Sequence, residues 1–301
     1  MHHHDQYGDV TETISYYDYV SLNAIPYPSI IFISKVNRKV NDTINLKSAN
    51  YVENIQPLLT VPADYKMKEK KVKQPDITVE KYNDHIHFIT LKHTNGRAMV
   101  VEFNDYLLVA ESPLSSENGE LIIKEARNIA PNKPIKYFIF SHYHPDYTGG
   151  IRPFIHRGAT VLCTKGDMDF IQYLAEAPHT LQPDSLSLQP RALHMEGVDS
   201  NKTITDGSCE MNIYYIGIKS EHTKDYMIYY FPKEKMLFEG DLVGIAEKGP
   251  VRKAGKRQAG LYNAIKELNL EVATIQQSWP VGYGQKTEIP FSDMEAAMNI
   301  K

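Results

Sequence analysis

Residues 139–150 read IFSHYHPDYTGG. In an extended chain, residues two apart point the same way, so His142, His144 and Asp146 can converge from one short stretch. Two imidazoles and a carboxylate suit zinc, which accepts nitrogen and oxygen ligands in a tetrahedral shell. Tyr147 stands where one more histidine would extend the series. Taken alone, the stretch is equally well read as the polar end of a strand carrying two ordinary histidines.

The text around it decides the fold class. IKYFIF, residues 135–140, is a buried-type strand running straight into the histidines. Before it come three strand candidates, ITVEKYNDHIHFITL, AMVVEF and DYLLVAES. The helix NGELIIKEARNIA follows them, with Leu121, Ile122, Ala126 and Ile129 on one face. After it come the strand ATVLCT, the helix DMDFIQYLAEA, and the strands CEMNIYYIGI, YMIYYFP and KMLFEGD. The helix RQAGLYNAIKELN and the strand EVATIQQSW complete the series. Runs of strands with helices between them predict sheet packed on sheet with helices outside, an α/β arrangement. Upstream, SIIFISKV, NRKVND and TINLKSANYV predict a hairpin, and the lysine-rich ADYKMKEKKVKQPD reads as a solvated linker. We therefore expect a β-rich extension over 1–74 and the main domain over 75–301.

Composition excludes several classes. At 301 residues, 42% apolar and 23% charged, the chain is long enough to bury a large core. Its net charge of -4 and the lack of a long basic face argue against nucleic acid as a partner. No apolar run approaches the ~20 residues of a membrane span. MHHHDQYGDV does not read as a signal peptide, and His2, His3 and His4 are set aside as a tag remnant or adventitious ligands. Cys163 and Cys209 lie in strand-like runs and are expected to be small buried apolar residues, not a disulfide or reactive thiols.

Two further residues strengthen the metal reading. His222 lies in EHT between two strand candidates, and Asp241 lies in FEGD just beyond another. Loops at strand ends are where a rigid sheet can hold a site. From about Ile77 onward the order of these residues resembles the metallo-β-lactamase-fold hydrolases, whose pattern is HxHxDH, a GHT-like turn, GD, and a GHG-like turn. Here these read His142, His144, Asp146 and Tyr147, then His222, then Gly240 and Asp241, then Tyr283 in VGYGQ. Thr148, Gly149 and Gly150 also follow the motif as in relatives. The resemblance implies a four-layered αββα sandwich with the metals at one edge.

It also implies which metal is kept. In the family one metal takes both HxH histidines and the GHT histidine. The other takes the motif aspartate and the remaining two histidines, and the GD aspartate bridges them. This chain retains the first histidine set and replaces both histidines of the second by Tyr147 and Tyr283. A phenol must lose a proton at a pKa near ~10 to ligate, which favours ferric iron over zinc, so iron is the alternative metal. We expect one zinc on His142, His144 and His222, with Asp241 and Asp146 beside it. Zinc with an open position lowers the pKa of bound water to roughly 7, giving metal-bound hydroxide as nucleophile. Asp146 would be general base or acid, while Tyr147 and Tyr283 would bond to Asp146, water or substrate or donate to a developing oxyanion.

The expected function is hydrolysis of a small ester, lactone, amide or related substrate, with a non-catalytic binding or sensor protein on the same fold as the alternative. Lys248, Arg252, Lys253, Lys256 and Arg257 form a basic loop that the resemblance places near the site, suited to an anionic substrate. Residues 178–190 are expected to form an irregular loop that could line the cleft. His179 and His194 have no place in the metal pattern, and surface or packing roles are expected for both. The sequence leaves oligomeric state open. DYVSLNAIPYPSIIFI resembles the β-rich N-terminal part of some secreted relatives, which leans toward export over a cytoplasmic location.

Overall fold

The computed structural model describes residues 1–50, 65 and 75–300. Most of the lysine-rich linker and the expected boundary at Gln74 lie outside the described residues. Two sheets form the body. Across the first, the strands run His194–Val198, Thr160–Thr164, Ile135–Ile139, Leu107–Ala110, Gly96–Glu102, Ile86–Leu91 and Ile77–Lys81. Across the second they run Asn201–Thr205, Glu210–Tyr215, Met227–Phe231, Met236–Glu239, Thr274–Gln277 and Glu288–Pro290.

Period-two alternation sorts these strands' side chains into three cores, and three cores separate four layers. Ile139 and Leu162 face inward between the sheets, with Phe88, Met227, Tyr229, Met236 and Phe238. Their neighbours Phe138, Phe140, Val161 and Cys163 point the other way, under Ile122 and Ala126 of the helix Ser116–Ile129 and Ile171 and Leu174 of Met168–Glu176. On the far side Ile228, Leu237 and Ile275 pack under Leu261 and Ile265 of the helix Lys256–Glu267 and Met294 of Phe291–Asn299. This is the αββα sandwich. Both cysteines are buried and unpaired, and burial pushes their thiols up, Cys163 to about 12 and Cys209 to about 11.

The sheets are tied directly at one edge. The backbone N–H of Arg97 donates to Ser278 O (3.0 Å), and Ser278 Oγ donates back to Arg97 O (2.7 Å). The buried Arg97 guanidinium lies over the Phe88 ring and donates to Gln276 Oε1 (2.8 Å) and Gln277 O (3.0 Å). These bonds fix the two sheets in register, which matters for a site assembled from both.

The expected N-terminal hairpin pairs Ile25–Lys35 with Val40–Asn45, and a third strand, Thr13–Leu22, completes a separate sheet with both faces largely open to solvent. The first ten residues behave differently. His2–His4 pairs with Gly8–Val10, and this hairpin docks on the main body. The Asp9 carboxylate accepts from Thr180 N (2.6 Å), Thr180 Oγ1 and Leu181 N, and Gln6 Nε2 donates to Thr148 Oγ1 (2.8 Å). Among the described residues no helix is long and apolar enough to cross a membrane.

Candidate metal centre

The strand Ile135–Ile139 delivers His142 and His144 from the first sheet. The second sheet delivers His222 from the turn before Met227–Phe231, and Asp241 two residues beyond Met236–Glu239. One ligand atom from each of the four lies within 4.8 Å of all the others. His142 Nε2 is 3.0 Å from His144 Nδ1 and 3.9 Å from Asp241 Oδ1, and His222 Nε2 is 3.3 Å from Asp241 Oδ2. A tetrahedral shell with bonds of 2.0–2.1 Å holds its ligand atoms about 3.3 Å apart, so this spacing fits one such ion. His222 Nε2 is also buried without a hydrogen-bond partner, an orphaned donor-acceptor that an ion would satisfy.

Electrostatics suit ligation. Burial, reinforced by the other histidines and Arg257, holds His142 far below its ordinary value. Burial lowers His144, and burial with Arg257 lowers His222 to about 4. All three imidazoles are therefore neutral at pH 7, and no proton must be expelled before a metal binds. Burial pushes the Asp241 carboxyl up, while Arg257 and His144 oppose that rise. The Arg257 guanidinium stands 3.3 Å from Asp241 Oδ2.

Behind the four donors lies a supporting layer that the sequence reading did not single out. Ser141 Oγ lies 3.1 Å from His142 Nδ1, so it orients the ring and leaves Nε2 for the cluster. Ser141 N donates to the buried Glu111 Oε1 (3.0 Å), and Glu111 holds a left-handed φ of 69°. Such a conformation costs a non-glycine residue about 1 kcal/mol or more, so surrounding packing must impose it. The Tyr226 ring stacks on His142 at 4.7 Å. Its hydroxyl accepts from Gly240 N and Asp241 N, both at 3.1 Å, and lies 3.2 Å from Glu239 Oε2. A Cβ at Gly240 would fall 2.6 Å from Ser141 Oγ and 2.7 Å from Tyr226 Oη, which explains the glycine of the GD pair. Gly149 approaches the Leu114 backbone just as closely, locking the TGG turn against the neighbouring loop.

The remaining candidates are placed differently. The alternation that grouped Asp146 with the histidines ends at His144, because Pro145 opens a helical turn, Pro145–Thr148. Asp146 sits in that turn, half-buried and outside the four-residue group. Tyr147 is buried, with its ring 4.3 Å from that of His142. Tyr283 is 69% exposed and accepts from Asn95 Nδ2 (3.2 Å). Neither hydroxyl bonds to Asp146 among the described residues. Of the basic loop, Arg252, Lys253, Lys256 and Arg257 line a cleft of about 700 Å³ that has Asp241 in its wall. Lys248 is not part of that lining. His179 is buried, edge-on to His3, and its Nδ1 lies 4.0 Å from Asp184. His194 opens the edge strand His194–Val198 and is exposed.

Comparison with known proteins agrees with this geometry. A solved metallo-beta-lactamase from Pontibacter korlensis superposes with a TM-score of 0.55 at 14% identity, covering 74% of this chain and 97% of that one. FIM-1 from Pseudomonas aeruginosa, solved in a mono-zinc form, gives 0.52 at 15% identity, covering 74% and 93%. These likenesses show the fold. In sequence, metallo-beta-lactamase type 2 of Elizabethkingia meningoseptica is 28% identical over 175 residues, 56% of this chain and 63% of that protein, so the match spans less than two thirds of the relative. The family model described as the metallo-beta-lactamase superfamily matches residues 112–279, more than half of the chain and a span that contains all four clustered donors. With the layers, the donor set and this match in agreement, the chain belongs to the metallo-beta-lactamase superfamily.

Proposed function

We propose that the protein is a metal-dependent hydrolase using a single zinc ion held by His142, His144 and His222 with Asp241, and that its substrate is a small ester, lactone, amide or related molecule. The observation that carries this reading is the convergence of the four donors around the orphaned His222 Nε2. When bound, zinc in such a shell supplies Lewis acidity, activating water near neutral pH and polarising the bond to be cleaved. The chain's own groups do the rest. Ser141 and Tyr226 hold His142 and Asp241 in position, and Arg257 opposes the neutralisation of Asp241. Asp146, half-buried two residues beyond His144, takes and returns the proton of the attacking water. Tyr147 packs against His142. In this reading residues 75–301 form the hydrolase unit, and residues 1–74 form an extension whose first hairpin braces the loop after the histidines.

Metal content per chain tests the reading, measured with His2, His3 and His4 replaced. About one zinc per chain, lost in His222→Ala, is expected. Turnover on a panel of esters, lactones and β-lactams should collapse in Asp146→Asn. A metal-loaded protein with no turnover on any of them would favour a non-catalytic binder.

A further inference from the structure

The sheet formed by Thr13–Leu22, Ile25–Lys35 and Val40–Asn45 has no core of its own. It is anchored at one end to the docked first hairpin, where Asn37 N donates to Thr11 O (3.4 Å), Thr11 N to Asn37 Oδ1 (2.8 Å) and Asn37 Nδ2 to Asp9 O (3.2 Å). From that root the strands run to a turn at Asn23 and Ala24, both at left-handed φ. At ~3.4 Å per residue, the 10-residue strand Thr13–Leu22 makes this an arm of roughly 34 Å. Cross-strand register sorts its side chains into two unlike faces. On one, Tyr16 lies opposite Ile31 and Ile31 opposite Ile44, Ile14 lies opposite Ile33, and Val20 opposite Tyr27. On the other, Tyr17 and Phe32 are interspersed with Ser15, Ser34 and Thr43. None of the apolar residues of the first face belongs to the three cores, and Ile14, Tyr16, Val20 and Ile44 are 43% to 51% exposed among the described residues. A three-stranded sheet needs a covered apolar face to be stable, and monomers rarely leave so large a patch open.

We propose that this apolar face is a self-association surface, on which the same face of a second copy packs about a two-fold axis to close a small β-sandwich between the two chains. Charge selects this occupant. Asp18 is the single charged residue between Thr13 and Ser34, so an anionic bilayer, a nucleic acid or a strongly charged protein finds nothing there to attract it. An identical neutral face is complementary to it, as a two-fold contact requires. Size agrees. With strands ~4.8 Å apart, the face measures roughly 34 Å by 10–14 Å, and two copies cover roughly 800–1,000 Å² before corrugation is counted, close to the ~1,000 Å² of a specific interface. Edge-to-edge pairing is disfavoured, because Asp18 breaks the outer edge of Thr13–Leu22 with a left-handed φ of 52° and a carboxylate. The contact is therefore face to face, with Ile31 of the middle strand near its centre. It is independent of the metal centre and of the hydrolase reading.

Sedimentation equilibrium of the full-length chain tests the proposal. A monomer–dimer equilibrium with a Kd of about 1–10 µM is expected for an interface at the small end of the specific range. Ile31→Lys, which sets a charge in both faces at once, should weaken it about a hundredfold or more. Tyr16→Thr/Ile44→Thr trims the face but keeps residues suited to strands, and should weaken it at least about tenfold with far-UV circular dichroism unchanged. Tyr17→Thr, on the reverse face, should leave it unaltered. A chain that stays monomeric at about 100 µM, or a dimer that survives both face variants or is lost equally in Tyr17→Thr, overturns the proposal. Two further results would overturn it by naming another occupant. Binding of a monomeric chain to phosphatidylcholine vesicles would assign the face to lipid, and dimerisation that appears only after residues 51–74 are excised would assign it to that segment.

Discussion

Replacing Arg152 by methionine should cost about 3–4 kcal/mol of stability. Arg152 lies in the helical turn Arg152–His156, directly after the metal loop, and is nearly fully buried. Its Nε and Nη2 donate to both oxygens of Asp184, at 2.6 and 3.0 Å, and Nη1 reaches the carbonyls of Leu174, Ala175 and Ala177 at 2.8, 2.9 and 3.2 Å. Breaking a buried ion pair from one side costs about 3–5 kcal/mol, because the remaining charge is stranded. Asp184 would retain two donors, Ser187 N (2.9 Å) and Ser116 Oγ (2.9 Å), which trims the loss toward the lower end. Asp184→Asn keeps the carbonyl bonds of Arg152 and should cost only about 1–2 kcal/mol, with clear coupling in the double variant.

The pH dependence gives a second readout. Burial pushes Asp184 up, but the hydrogen bonds from Arg152 and Ser187 override it and hold the carboxyl below its ordinary value. A depressed carboxyl contributes stability above its unfolded value, and that contribution is lost as pH falls. Without Arg152, burial is opposed mainly by the bonds from Ser187 and Ser116, and the folded state takes up the proton more readily. The penalty of Arg152→Met should therefore shrink toward pH 4. Urea unfolding with unchanged m-values at pH 7 and pH 4.5 measures both effects. A loss below about 1 kcal/mol at pH 7, or one equal at the two pH values, would refute the assignment of Arg152 to the Asp184 charge.

Other perturbations follow from the same contacts. Tyr226→Phe removes the hydroxyl that accepts from Gly240 N and Asp241 N, and should lower zinc affinity about 10–100-fold in a chelator competition assay without unfolding the protein. Gly240→Ala forces a Cβ against Ser141 and Tyr226, and should cost about 1–3 kcal/mol in thermal or urea unfolding while weakening metal binding. Asp167 is buried, and burial with the neighbouring Asp225 raises its carboxyl from 3.8 to about 7. The folded state then holds a proton that the unfolded state releases, so stability falls as pH rises from about 4 to about 7 and levels off above. Asp167→Asn should flatten that limb of the stability curve, read as unfolding midpoint against pH.

Much of the site is legible in the chain because its donors sit at strand ends. Alternation along an extended segment brings His142 and His144 together, and the turns holding His222 and Asp241 are marked by the strands beside them. The same rule misplaces Asp146, although Pro145 was a signal available to correct it, since proline favours the first position of a helix. Tyr283 is carried outward by a turn in which Gly282 and Gly284 both adopt positive φ, 94° and 67°. Ser141, Glu111, Tyr226 and Glu239 were unreadable for a different reason. Glu111 meets Ser141 from 30 positions away, and Tyr226 reaches Gly240 across 14, so no local spacing links them.

Within the fold, the long buried strands declare themselves by continuous apolar runs, while His194–Val198 and Asn201–Thr205 do not. They are the edge strands of their sheets and carry polar residues on their open sides. The helix Phe291–Asn299 carries its own signal in the sequence, Phe291, Met294 and Ala297 at threefold spacing directly after Pro290.

That the four donors come in equal numbers from two facing sheets has a consequence for the protein's lifetime. An ion gripped by His142 and His144 on one side and by His222 and Asp241 on the other is a rivet through the seam of the sandwich. Because the unfolded chain scatters these residues over 100 positions, the free energy of gripping the ion is added to the free energy of folding. If the proposed ion is held there, metal supply would set how often the seam opens, and how long each molecule survives proteolysis. On the proposed reading, a cell short of the ion would lose folded protein along with bound metal.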